Sequence, residues 1–330
     1  MAVDLTKTTR EAWMSTVQRQ VIDRIPLFAI LNERRQVSWD GGTKYKTTVE
    51  KATSETLAQE YSANDPLNVA TKSIWETVEF EMKYIQVPIE YTVEHRLQAR
   101  EGDGVVIDHI GGLVRSGQNG VKLRIRTSLW ETASNTSDTD VGFQGIPDAL
   151  DSNDSQTYGT IARNTANTWW NGADDDNCDT TTEPTIENFR EFQEKVLQDT
   201  EFDSPQDMMA FCSSATFRAL QAAVEAHHGY PPPGVMAKFG FSSMMIDGIE
   251  IVVDPHLNKN STDKKKFALL HLPDWYVKLS PERSFKLTDF RWQGEVANGY
   301  DKWLARALVA GNICCLKPNG SLYRAEMNVS

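Results

Sequence analysis

Two runs of alternating residues stand in the first hundred positions. After the Gly41-Gly42 pair, Tyr45, Thr47 and Val49 alternate with Lys44, Lys46 and Thr48, which predicts a strand over Thr43 to Val49. The second run, Ile74 to Val93, is longer and changes phase. Val78, Phe80, Met82 and Tyr84 share one face opposite Glu79, Glu81 and Lys83, whereas Ile85, Val87, Ile89, Tyr91 and Val93 form the apolar set that follows. A period-two pattern that flips between Tyr84 and Ile85 predicts a bulge, or a strand that leaves one sheet and enters another. The polar stretch KATSETLAQEYSANDP joins the two runs into a projecting hairpin. An isolated hairpin is marginal in water, so something beyond it should hold it.

Helical periodicity marks other segments. Trp13, Val17, Val21 and Ile25, with Met14 and Ile22 alongside, give residues 8–31 an amphipathic pattern that Pro26 ends or restarts. Its other face is too polar for a core helix, so the segment is expected to lie as an arm. From Gly104 to Thr132 the stripe is Val106, Ile110, Leu113, Gly117 and Val121, with Arg115, Asn119, Lys122 and Arg126 on the opposite face. Gly111, Gly112, Gly117 and Gly120 lie in this segment. A helix-interior glycine costs about 1 kcal/mol relative to alanine, so the helix needs support from packing, and small residues allow close backbone approach. The sub-run VKLRIR also alternates like a strand, which leaves the last two turns open to either reading.

Further on, Thr185 is positioned to cap a helix carrying Ile186, Phe189, Phe192, Val196 and Leu197. Met208 to Cys212 reads as a strand. Ser213/Ser214 can cap a second helix with Phe217, Leu220 and Val224, stopped by Gly229 and Pro231-Pro232-Pro233. A hairpin turns at Asp247-Gly248 between Met244–Ile246 and Ile249–Val253. Strands are expected at Phe267–Leu272, Tyr276–Leu279 and Ala305–Leu316.

The most distinctive segment runs from Gly142 to Gly172: a Gly-Ile-Pro turn, Tyr158-Gly-x-Ile-x-Arg163, then Trp169-Trp170. Each tryptophan carries roughly 150–250 Å² that needs a partner. Adjacent side chains on an extended chain point to opposite sides, so one ring can enter its own domain while the other needs a second surface.

At 330 residues, 40% hydrophobic and 9% aromatic, the chain is long enough for about two domains and has a globular composition. Its formal charge of −12 argues against spontaneous wrapping of nucleic acid, which needs a basic footprint. A container for DNA filled by a motor stays compatible with it. The N-terminus has charges from Asp4 onward and no h-region, so no signal peptide is read, and no apolar run reaches membrane-span length. Cys178, Cys212, Cys314 and Cys315 lack metal or redox spacing; Cys314 and Cys315 read as small buried hydrophobes in a reduced cytoplasmic protein.

Candidate chemistry is thin. Asp174, Asp175, Asp176 and Asp179 invite a calcium loop, but Thr180 stands where glycine is required and Ile186 where the bidentate glutamate belongs. A solvated acidic loop is the simpler reading. His227-His228 fits a helix C-terminus better than zinc, because adjacent residues do not share a helix face. Cys212-Ser213-Ser214 has no glycine elbow, and no phosphate-binding glycine loop exists. No catalytic residue, metal or cofactor is expected, and the chain is read as no enzyme.

In order, these parts resemble the major capsid protein of tailed bacteriophages, the Hong Kong 97-type fold, over nearly the whole chain. The Gly142–Gly172 motif and the ending with Gly311-Asn312 and Pro318-Asn319-Gly320 carry the likeness in detail. The resemblance implies an α+β fold with 1–40 as N-terminal arm and 41–93 as extended β-hairpin loop. Residues 94–182 and 290–330 would form a peripheral domain with a spine helix at about 104–132, and 183–289 a mixed α/β axial domain. It implies a coat protein that self-assembles into pentamers and hexamers of an icosahedral head around double-stranded DNA, made in the host cytoplasm and located in the virion. Its partners would be itself, a separate scaffolding protein (the chain lacks the long charged N-terminal scaffolding region of some members, and its starting Met1 favours a separate scaffold over a chain already processed), a portal and, as an option, a decoration protein, with no membrane. Lys44, Tyr45, Lys46, Val78, Phe80, Tyr84, Trp169 and Trp170 are the intersubunit contact candidates, and Arg115, Lys122 and Arg126 the lumen-facing ones. Some members cross-link through an extended-loop lysine; Lys44, Lys46 and Lys51 are available, and nothing local marks them as reactive. The alternatives are an encapsulin-type nanocompartment shell or a metal-dependent hydrolase using the Asp174–Asp179 loop and the His pair.

Overall fold

Strand β14 (Lys302–Cys315) is the longest in the chain's described part, and it organises the first of two compact units. The structure is a computed structural model and describes residues 25–39, 42–51, 74–92, 103–131, 142–150, 157–164, 167–172, 183–200, 207–228, 234, 237, 240–258, 266–294, 301–324 and 327. In chain order the elements begin with α1 (Pro26–Glu33), β1 (Val37–Trp39), β2 (Lys44–Glu50), β3 (Trp75–Glu81), β4 (Lys83–Thr92) and α2 (Asp103–Trp130). Then come α3 (Ile146–Leu150), β5 (Thr157–Tyr158), β6 (Ile161–Ala162), α4 (Ile186–Thr200), β7 (Met208–Cys212) and α5 (Ser214–His228). The chain closes with β8 (Ser243–Ile246), β9 (Ile249–Val253), β10 (Phe267–His271), β11 (Trp275–Leu279), β12 (Lys286–Leu287), β13 (Arg291–Trp292), β14 and β15 (Leu322–Arg324).

The first unit comprises Met1–Gly42, Met82–Ile146 and Tyr276–Ile313. On one side β14 pairs antiparallel with β4 over ten positions, from Lys83↔Gly311 to Thr92↔Lys302. On its other side lie β12, β13 and β11, and β1 adds to β11 in parallel. Within the described part of the expected arm Pro26 starts α1, one of the two options read from the sequence, Leu27 to Leu31 are buried, and Val37 pairs with Val277. Residues 8–24 lie outside the described residues. Helix α2 packs on β4, and the VKLRIR stretch is helical to Trp130. Its buried row is Val114, Val121, Ile125 and Leu129, with Gly117 beside Ile89. A methyl group on Gly117 would stand 2.5 Å from Ile89 Cδ1, whereas at Gly112 it would meet nothing within 4 Å. Close approach therefore explains Gly117 and leaves Gly112 without a packing reason.

The second unit comprises Thr43–Glu81, Pro147–Trp275 and Cys314–Ser330. Its five-stranded sheet has the order β15-β10-β7-β9-β8, in which only β7 and β9 run parallel. Alternate residues of these strands (Ala210, Cys212, Ile249, Ile251, Phe267, Leu269) share one core with Phe189, Phe192 and Val196 of α4 and Leu220 and Val224 of α5. Both predicted caps form: Thr185 Oγ1 accepts from the Asn188 N–H at 3.2 Å, and Ser213 Oγ from the Thr216 N–H at 3.2 Å. The β8–β9 turn holds Asp247 and Gly248 at φ 48° and 87°, the pair of positive values that a two-residue type I′ hairpin demands. Arg190 of α4 grips this turn through Nε to Asp247 Oδ2 at 2.6 Å.

The long run 74–93 divides at Met82: β3 belongs to the second unit and β4 to the first. Val78, Phe80 and Met82 are buried, then Ile85, Ile89 and Tyr91, so the phase changes just after Met82. Tyr84, placed with the first set by sequence, is 52% exposed.

Replacing Gly112 by Ala should raise thermal stability by about 0.5–1 kcal/mol through helix propensity. Gly117→Val should lower it by roughly 1–3 kcal/mol through overpacking on Ile89. Melting curves of the two variants check this; a stabilised Gly117→Val would contradict the close packing of α2 on β4.

Candidate functional site

The Gly142–Gly172 motif builds a buried node in the second unit. Gly159 and Thr160 turn β5 into β6 with φ 57° and 70°. A side chain at Gly159 would run into Val78 and stand 2.9 Å from Phe80 Cε1, so only glycine suits both the turn and the approach. The Gly159 carbonyl accepts from the Glu79 N–H at 3.1 Å, which bonds β3 to the node. The Tyr158 ring meets Phe80 edge-on at 5.2 Å, and its hydroxyl oxygen accepts from the Cys315 N–H at 2.8 Å. Burial, the largest cause, pushes the Tyr158 phenol well above its ordinary range, so it stays neutral. Arg163 is buried, donates from Nη2 to the Ala149 carbonyl at 2.5 Å and stands 5.2 Å from the Tyr158 ring centre. Tyr158, Gly159 and Arg163 of Tyr-Gly-x-Ile-x-Arg thus each have a structural duty, and Ile161 is buried.

The tryptophan doublet is not extended. It lies in a 3₁₀ turn, Thr168–Trp170, where successive residues are about 120° apart, and the two rings touch at 5.3 Å and 52°. Trp170 is fully buried, with Nε1–H donating to the Tyr158 carbonyl at 2.9 Å. Trp169 is half-buried. One ring therefore lies inside its own unit and the other is only partly covered, on a 3₁₀ turn rather than the extended chain expected. Trp170, Val78 and Phe80 are buried within their own unit.

The hairpin of β2 and β3 shows its other face to solvent as a charge ladder. Lys44 lies 3.4 Å from Glu81 and 3.5 Å from Glu79, Lys46 pairs with Glu79, and Lys51 lies 3.1 Å from Glu76. The hydrogen bond to Glu81, then the charge of Glu79, raises the Lys44 pKa, the opposite of what a nucleophilic lysine needs. The Lys46 hydrogen bond lowers that of Glu79; this pairing is present above the ordinary carboxylate range and is lost as pH falls through the lowered value. Tyr45 is half-buried and stacks on Phe80 with centroids 6.5 Å apart. The exposed contact candidates are Lys44, Lys46 and Tyr84, with Trp75, 62% exposed, as one that sequence reasoning missed. Its signal was an aromatic on the charged side of the alternation.

On α2, Arg115 is exposed, while Lys122 and Arg126 are half-buried. The buried row is turned from the expected stripe, because Val114, Ile125 and Leu129 belong to it. The basic row therefore flanks the buried face rather than opposing it. Asn312, named with Gly311 in the family-like ending, has a structural duty that was not read from the sequence. It is buried, accepts from the Gln144 N–H at 3.0 Å through Oδ1 and donates from Nδ2 to Gln144 Oε1 at 3.0 Å. A lone asparagine in the apolar run before Cys314 was the available sign.

The Asp174–Asp179 loop and Cys178 lie outside the described residues, as do the side chains of His227 and His228. Among the described residues no cluster of three or more His, Cys, Asp or Glu side chains could hold a metal, and no helix is long and apolar enough to cross a membrane. Cys212, Cys314 and Cys315 are buried thiols outside any disulfide, and burial raises the pKa of Cys212 and Cys315.

No protein-family model matches the sequence, and no curated protein does. Solved structures do. The capsid of cyanophage A-1(L) aligns with TM-score 0.61 at 13% identity, over 87% of this chain and 89% of that one. An encapsulin complex from Synechococcus elongatus aligns with TM-score 0.55 at 11% identity, over 89% and 86%. The capsid of a native GTA particle aligns with TM-score 0.52 at 8% identity, over 89% and 88%. The chain has the phage-capsid fold. Its mixed α/β architecture is shared with those shell subunits along most of its length, at an identity that fixes the fold alone.

Trp170→Ala should cost about 3–5 kcal/mol, as large core truncations do. Trp169→Ala should cost no more than about 2 kcal/mol, because its ring is only partly covered. Chemical denaturation of both variants measures the difference; equal losses would contradict the inner and outer assignment of the rings.

Proposed function

We propose that the chain is the major coat subunit of a tailed phage, assembling as pentamers and hexamers into an icosahedral shell around double-stranded DNA. The observation that carries this reading is a capsid fold aligned along 87% of the chain rather than in one domain. In this reading residues 1–40 include the arm, 41–93 form the extended loop laid over a neighbour, α2 is the spine helix of the peripheral domain, and 183–289 form the axial domain. A separate scaffolding protein, a portal and a decoration protein are its expected partners, the host cytoplasm its place of assembly and the virion its destination. The energy comes from area, since contacts laid across neighbours reach the obligate class above roughly 2,000 Å². An encapsulin-type shell is the second reading, favoured by the alignment over 89% of the chain with an encapsulin complex.

Electron microscopy of the protein expressed alone, and with its scaffold, should show closed shells. Deleting Ala52–Asn68 should leave a soluble body that does not close shells; normal particles from that deletion would sink the extended-loop assignment. Nucleic acid in particles from infected cells separates phage head from nanocompartment.

Arg115, Lys122 and Arg126 are assigned to the lumen wall, where their charge would moderate repulsion between an acidic shell and its genome without giving affinity in solution. Replacing all three by Gln should leave empty shells normal and make filled particles fewer. Failure of empty-shell assembly would show instead that the row is a subunit contact.

A further inference from the structure

The long strand β4 lies at the edge of its sheet. It pairs with β14, and among the described residues no strand pairs with its other side. Which backbone groups face that side follows from the bonds of β14. The Arg306 N–H donates to Thr288 Oγ1 at 2.8 Å and the Arg306 carbonyl accepts from the Thr288 N–H at 2.9 Å. The Lys302 and Ala310 carbonyls accept from Gln293 and Ser280, each at 2.9 Å. These even-numbered residues of β14 therefore turn their backbone groups away from β4. In an antiparallel pair, residues opposite one another either exchange both bonds or neither. The partners of Lys302, Arg306 and Ala310 are Thr92, Pro88 and Tyr84, and by alternation Gln86 and Glu90 follow the same direction. All five present their backbone nitrogen and carbonyl to the outer edge, and the middle one is a proline, with no N–H to offer.

An extended edge of ten residues is a template for pairing with another chain. Proline on an edge strand removes a donor and costs the native ladder nothing when its nitrogen points outward. Pro88 is exposed, so it fills no core position either. We propose that Pro88 blocks strand addition to β4 by a second copy of this chain, and so confines association to other surfaces. This inference does not depend on the shell reading: it concerns one sheet edge and holds for any protein with this strand.

The test uses the full-length chain with Pro88→Thr, and the same variant carrying Gln86→Pro, which restores a block at the neighbouring outward position. Thioflavin fluorescence, sedimentation and negative-stain microscopy report sheet-type aggregates apart from closed shells. Pro88→Thr should give several-fold more irregular, thioflavin-positive material than the natural chain, and the double variant should return to the natural level. An insoluble single variant with a soluble double variant supports the block equally. If Pro88→Thr associates as the natural chain does, or if the double variant is as aggregated or insoluble as the single, the proposal is overturned.

Discussion

The pairing of β14 with β4 is the constraint on which the first unit rests. Ten consecutive positions in register oblige Ile85, Val87, Ile89 and Tyr91 to one face of the sheet, and that face is the one α2 covers. Helix α2 can lie close only because Gly117 and Gly120 put no side chain against Ile89 and Val87. A one-residue slip in register would move the whole apolar set to the other face. Register is thus held by burial on one face and by backbone bonds on both sides of β14, since β11, β12 and β13 occupy its second edge. Asn312 supports the same arrangement locally, because its amide exchanges two bonds with Gln144 and fixes the segment that leads into α3.

The second unit is organised differently. Its sheet and two helices share a continuous apolar core, and the Tyr158 node is a separate polar and aromatic assembly. Here backbone conformation decides the sequence. Two successive positive φ values at Gly159 and Thr160 make the turn, and the same glycine admits Val78 and Phe80. Tyr158 then satisfies two backbone or indole groups that would otherwise be buried without partners, the Cys315 N–H through its hydroxyl and the Trp170 Nε1–H through its carbonyl. Leaving either unpaired would cost roughly 1–3 kcal/mol. That is why a motif legible as a family resemblance is also legible as chemistry once the contacts are known.

Much of the architecture was written in periodicity. The two hairpins, the long helix, both capped helices and the Asp247-Gly248 turn follow from patterns of period two or near 3.6 and from local cap and turn residues, which act over a few positions. What periodicity could not supply depends on partners distant in sequence. Trp169-Trp170 was read as extended because a doublet carries no period, and the 3₁₀ turn that holds it is set by contacts with Tyr158. Val78 and Phe80 were named as contact candidates through the resemblance, and the surface they meet within their own unit lies some eighty residues later, at Gly159. The tilt of the basic row on α2 escaped for a similar reason: Ile125 and Leu129 continue the buried row only if the last turns are helical, which the VKLRIR alternation left open.

The hairpin illustrates how two weak features become one stable element. Its outer ladder of Lys44, Lys46, Lys51 and their glutamates is solvent-exposed, and water screens such pairs so that they contribute little. The ladder cannot hold the hairpin by itself. Its inner face, by contrast, seats Val78 and Phe80 on the node and bonds the Glu79 N–H to Gly159. The base is therefore fixed while the charged face remains compatible with water, so the element can extend without inviting collapse. The parity change after Met82 completes the arrangement. Within β4 it places the odd positions, not Tyr84, Gln86 and Pro88, on the face that α2 covers. Ile85 and Ile89 are buried, and the exposed set keeps Tyr84 and Pro88 at the surface.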